Sequence, residues 1–426
     1  MPQPRDHCLL KFPVNLFGMH FPRSMWLGHP FPRRGARPPR SLVAAMCGAA
    51  SALVAACAQP IPVAEPQPIP APRPPVSTGP IRPRASTPVQ SDVSESWAGS
   101  PRWPIKTSEP VDLWLHAFAL LTDDSTKVPL YRRGYRDSIT VVKNRLNVLT
   151  ALDTNRAYLS RQMAGSQKYQ QAQLLAFEFG TWEAMRASAE RYIQGNSDTR
   201  RSNGADRDAG MSSFARLFPS AADRDFLRVL VDGVQDERIK FYGAEHARLV
   251  RSRSAVVTAI DSLWQRTYRA RFERFLVGSG QRNADIVLSM PVGAEGRTGL
   301  GRERQVSIAV PFPDRVSDAP DALMVLAHEM TAGIVAAVVR DNSTVVEQRS
   351  GAMDRLAVIT QVRAGAMLIA RVAPELSDAY MRYYLGQTGV AVQSGDVTPA
   401  FTRAFEISAT VRDDVQRQIG LALSAN

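Results

Sequence analysis

Ala284-Asp-Ile-Val-Leu-Ser-Met290 and Gln305-Val-Ser-Ile-Ala-Val310 decide how the second half of this 426-residue chain is read. Each stretch is short, rich in β-favoured residues and followed by a proline, and a glycine-rich link from Gly293 to Gly301 lies between them. They read as a hairpin or as two neighbouring strands. On both sides the apolar period is helical instead. Residues 255–276 place Ile260, Trp264, Tyr268, Phe272 and Phe275 on one broad face. Downstream, Asp318 or Asp321 can cap a long apolar helix over residues 322–339, and further helices are expected at 353–372, 374–385 and 399–423. Toward the N-terminus, helical spacing recurs at 111–121, 140–149, 172–192 and 222–244, with a polar surface loop expected at 195–210. The expected fold class is mostly α with a small β-sheet (α+β). Residues 111–254 would form an α-helical N-terminal lobe and residues 255–426 an α+β lobe. No internal repeat is visible.

The first 56 residues read differently. Arg33, Arg34, Arg37 and Arg40 make a positive cluster, residues 41–56 are a small and apolar run, and Val54-Ala55-Ala56-Cys57 closes it. The run is too short and too alanine-rich to span a bilayer, which needs about 20 strongly apolar residues. This arrangement resembles the signal peptide and lipobox of bacterial lipoproteins. The resemblance implies cleavage before Cys57, lipidation of its thiol and palmitate-type acylation of the new N-terminus. Ala58, rather than an aspartate, after that cysteine implies the outer membrane over the inner. Residues 1 to about 24 lack the usual signal shape, so translation starting at Met25 is one reading of the gene.

Export changes the charge balance. The chain carries +12, but residues 1–56 hold seven Lys+Arg against one Asp+Glu, leaving +6 on the mature chain. That excess is no nucleic-acid footprint. Cys8 and Cys47 also precede the lipobox, so no disulfide framework or cysteine-ligated metal is available afterwards. Between Ala58 and Pro110 lie 14 of the 30 prolines. Residues 57–110 therefore read as a lipidated cysteine and a spacer, whose reach at about 3.1 Å per residue is on the order of 150 Å. One of Trp97 and Trp103 is expected to pack back onto the folded region.

The stretch that bears on chemistry is Leu326-Ala-His-Glu-Met-Thr-Ala332. An apolar helix bearing His-Glu after two short strands is the order found in zincin metallopeptidases. Over about residues 261–385 the chain resembles the gluzincin-like core of that family. There, H-E-x-x-H sets two imidazoles one turn apart on zinc, with the glutamate activating water. By that resemblance His328 matches the first ligand and Glu329 the general base. Position 332 is Ala, so the second imidazole is missing. The third ligand would be a glutamate on the following helix, but residues 353–372 contain none, leaving Glu347 before it and Glu375 after it. His116 reads as a half-buried helix residue and His246 as a solvated one. The flank carrying His328, Glu329 and Ala332 is expected to meet the two strands.

Other chemistry finds less in the chain. Gly293 to Gly301 lacks the Lys-Ser/Thr of a phosphate loop, no Gly-x-Ser-x-Gly elbow occurs, and Asp236-Glu237-Arg238 reads as a solvated face. The expected function is that of a lipid-anchored, extracytoplasmic protein of the bacterial cell envelope. Its zincin-like scaffold with an incomplete zinc site would act as a non-catalytic binding module, a pseudoenzyme with no cofactor. The alternative is an atypical zinc metallopeptidase using His328 and Glu329. Expected partners are the membrane, through the anchor, and a protein or peptide, with no nucleic acid.

Overall fold

The structure is a computed structural model that describes residues 103–123, 126–195, 209–301, 305–349, 352–389 and 394–425. The signal segment, Cys57, the spacer up to residue 102 and most of the polar segment at 195–210 lie outside them. Within the described residues the protein is mostly helical with one small mixed sheet.

That sheet has four strands, β1 (Ile105–Thr107), β2 (Ala284–Ser289), β3 (Arg297–Leu300) and β4 (Val306–Pro311), in the order β1-β2-β4-β3. The two sequence stretches are neighbours but parallel, with Ile286 opposite Ile308 and Leu288 opposite Val310. They are no hairpin with each other. The glycine-rich link supplies the antiparallel edge strand β3, which pairs with β4, and its length meets the need of a parallel connection for a dozen or more residues. The near-continuous apolar runs are explained by burial on both faces. Ile286, Leu288, Ile308 and Val310 join one hydrophobic cluster with the C-terminal helices. Val287 and Ala309 join the other, with the N-terminal helices. The sheet is thus the wall between two helical layers.

Residues 103–110, assigned from sequence to the spacer, belong to the fold. Trp103 is buried against Trp264, whose Nε1 donates to the Trp103 carbonyl at 3.1 Å. Strand β1 follows, and then helix α1 (Glu109–Leu121), with Pro110 in its first turn and every residue from Pro110 to Leu121 buried. Helix α2 (Tyr135–Arg145) comes next. Several expected helices are longer or more broken than their patterns. The run at 172–192 divides into a 3-10 turn, Ala172–Glu178, and the helix Trp182–Gln194. The run at 222–244 starts on a Ser220–Asp223 capping box as Ala221–Glu237 and passes through a π turn, Arg238–Tyr242, into Gly243–Ser252. A second π turn, Leu263–Tyr268, interrupts the run at 255–276. The apolar helix at 322–339 is two helices, Ala319–Met330 and Ala332–Asp341, broken at Thr331. Residues 316–341 are long and apolar enough to cross a membrane, but 72% of their most apolar window is buried inside the protein, as in a core helix.

Candidate functional site

His328 and Glu329 end the Ala319–Met330 helix. The Thr331 hydroxyl donates to the His328 carbonyl at 2.8 Å, and the Thr331 backbone N–H bonds that same carbonyl instead of the one four residues back. This tightening closes the turn. The break falls between His328 and Ala332, so the one-turn register that H-E-x-x-H depends on is not continuous here.

Both side chains are buried, His328 completely. The helix packs against β4, one of the two strands expected to meet it, while the Glu329 side chain reaches on to the edge strand, where Thr298 Oγ1 on β3 donates to Glu329 Oε2 at 2.6 Å. Gly296, at φ +69°, makes room for this approach, since a Cβ there would sit 2.7 Å from Glu329 Cγ. From the Ala352–Val372 helix, Gln361 Nε2 lies 2.8 Å from Glu329 Oε1 and 3.2 Å from both the His328 carbonyl oxygen and Nδ1. His328 Nδ1 is itself 3.2 Å from Glu329 Oε1. His328 Nδ1 thus faces both the Glu329 carboxylate and the Gln361 amide. Nε2 has no hydrogen-bond partner. Tyr384 stacks on the imidazole at 5.5 Å, its hydroxyl tied to the Ala294 carbonyl at 3.1 Å.

The other residues proposed from sequence do not join this pair through any contact described. Glu347 is exposed and accepts from the Thr344 backbone and hydroxyl, capping its own short helix. Glu375 pairs with Arg271 at the surface. Among the described residues no three His, Cys, Asp or Glu side chains form a metal-holding group. Cys57 lies outside the described residues. Gln361 and Thr298 were missed by the sequence reading. The local signal for Gln361 was a neutral amide beside Thr360, between the apolar residues Ile359 and Val362.

A second polar constellation corrects three readings, because His116, His246 and Glu237 are buried rather than half-buried or solvated. His116 on α1 bridges Tyr135 Oη, 2.8 Å from Nδ1, and Glu237 Oε1, 3.0 Å from Nε2. The other Glu237 oxygen accepts from Lys143 Nζ at 2.8 Å and Thr150 Oγ1 at 2.5 Å. One turn before His116, Asp112 Oδ1 accepts from Ser289 Oγ and the Met290 N–H, tying α1 to the end of β2. A groove of about 430 Å³ opens beside β1, lined by Lys106, Glu109, Phe179, Trp182 and Ser307 among others, and neither His328 nor Glu329 lines it. No protein-family model, no curated protein and no solved structure matches this chain.

Proposed function

We propose that this is a lipid-anchored protein of the bacterial cell envelope whose folded region is a non-catalytic binding module for an envelope protein or peptide. The anchor rests on the sequence around Cys57. The observation that carries the non-catalytic part is the engagement of both Glu329 oxygens, by Gln361 and by Thr298, in the buried interior. A carboxylate held in that way is a packing element rather than a base poised over a metal-bound water. The second reading, an atypical zinc metallopeptidase, is favoured by one feature: His328 Nε2 is buried and has no hydrogen-bond partner, a nitrogen free for a ligand role.

Two measurements test these readings. Cys57→Ser removes the thiol that accepts the lipid. The variant is expected to leave the membrane fraction, because stable anchoring without acyl chains would need another inserted apolar segment. Retention of Cys57→Ser in membranes, with a wild type that carries no lipid, would sink the anchor. Zinc analysis of the purified protein addresses the rest. Little zinc and no proteolysis are expected, in wild type and His328→Ala alike. One tightly held zinc per chain, lost together with proteolysis in His328→Ala, would establish the enzyme instead.

A further inference from the structure

The groove beside β1, at about 430 Å³, has the size of a small-ligand site. Its floor is the face of the sheet turned to the N-terminal helices. Val287 and Ala309 belong to that face, and Ser307, two residues before Ala309 on β4, points the same way. Two helices begin at the groove. Ser108 and Thr181, the N-cap residues of α1 and of the Trp182–Gln194 helix, both line it.

Ser307 is only 6% exposed, yet its hydroxyl makes no hydrogen bond among the described residues. Interiors seldom leave such a group without a partner, and the surface that Ser307 lines is the groove. The hydroxyls of Thr107 and Ser108 are equally without partners, so α1 starts uncapped. The first N–H groups of both helices have no partner within their own helix. One of them is taken, since Thr181 Oγ1 accepts from the Ala184 N–H at 3.2 Å.

The charges at the groove are already engaged with one another. Lys106 pairs with Asp285, while Arg238 holds Glu109 through Nε at 2.6 Å and Glu183 through Nη1 at 2.9 Å. Two cations against three carboxylates leave one negative charge, which the positive ends of two helices, each worth about half a charge, offset. The groove is thus near neutral and holds no unpaired ion to select a charged ligand. It offers hydroxyls that donate and accept, backbone N–H groups that donate, and apolar surface from Val111, Phe179 and Val287. An uncharged molecule with several hydroxyls and C–H faces between them matches that set.

We propose that this groove binds a neutral saccharide of one or two residues, whose hydroxyls bond Ser307 Oγ, Thr107 Oγ1 and Ser108 Oγ. The assignment is independent of the anchor and of the His328 site.

The test is calorimetric titration of the purified full chain with maltose, cellobiose and N,N'-diacetylchitobiose, beside the dipeptide alanyl-alanine. At least one sugar is expected to bind with a Kd of about 1 mM or tighter. Ser307→Ala removes a hydroxyl that has no partner in the fold. Its thermal unfolding is therefore expected to match wild type, while sugar affinity falls about threefold to tenfold, the range of one neutral hydrogen bond. Thr107→Val keeps the side-chain shape on β1, is expected to weaken binding to a similar degree, and serves if Ser307→Ala fails to fold. Binding of none of the three sugars, or affinity unchanged in both variants, would overturn the assignment. Tighter binding of alanyl-alanine than of any sugar would overturn it too, and would seat the peptide-binding reading in this groove instead.

Discussion

Replacing Glu237 by alanine is expected to cost the fold about 3 kcal/mol, because it leaves the buried Lys143 ammonium with Asp153 as its one remaining carboxylate and takes away the acceptor that His116 and Thr150 share. Glu237 is fully buried, and its two oxygens take hydrogen bonds from His116, Lys143 and Thr150. Burial alone would raise its pKa. The hydrogen bond and charge of His116, with the charge of Lys143, outweigh burial and pull it down to about 2. A carboxyl with a folded pKa below its unfolded value contributes stability that is complete above the unfolded pKa, near about 4.3, and that is lost as pH falls through the folded one. The difference in unfolding free energy between wild type and Glu237→Ala, measured by denaturant titration, is therefore expected to shrink from about pH 4.5 toward about pH 2. A cost under about 1 kcal/mol for the single variant would mean that the network is not the clasp between α1, α2 and the Ala221–Glu237 helix described above.

Gly278→Ala is expected to destabilise by about 3 kcal/mol or more, at the upper end for overpacking. A Cβ at that position would lie 1.9 Å from the Ala422 carbonyl oxygen and 2.7 Å from its carbon. These are backbone atoms of the C-terminal helix Ala409–Ser424, which cannot rotate aside as a side chain would. The Arg269–Gly278 helix would have to separate from it, opening the cluster that contains Phe275, Leu276, Val415 and Ile419. Gly386 provides the control. It is helical with nothing within 4 Å of a built Cβ, so Gly386→Ala is expected to be neutral or stabilising, by up to about 1 kcal/mol on helix propensity. Thermal unfolding of both variants beside wild type checks the pair, and equal melting temperatures would show that the two helices do not meet backbone to backbone.

The fold class was legible in the chain because apolar periodicity is a local property. Helical spacing gave the two helical layers, and ADIVLSM and QVSIAV gave the central strands. Direction was not legible. A run buried on both faces carries no alternation to tell parallel from antiparallel, and the strand hidden in Gly293 to Gly301 has too few apolar residues to announce itself. The His328 site was half visible for the same reason. His328 and Glu329 are adjacent in sequence, whereas Gln361 stands 33 residues away and reaches them only because the Ala352–Val372 helix packs against theirs.

By itself, then, the sequence determined the helical and strand segments, the fold class and the lipobox-like stretch on which the anchoring proposal rests. Only the tertiary structure decided which charges are interior. Asp236-Glu237-Arg238 is a plain charge run on paper, and a helix has one face in and one face out. Glu237 falls on the inner face, its charge balanced by Lys143 from α2, while Asp236 pairs with Lys240 and Arg238 with Glu109 nearer the surface. Burying an ion is tolerated only with its partner in place. That partner lies 94 residues away along the chain, and the packing of α1 and α2 against the Ala221–Glu237 helix is what brings the two together.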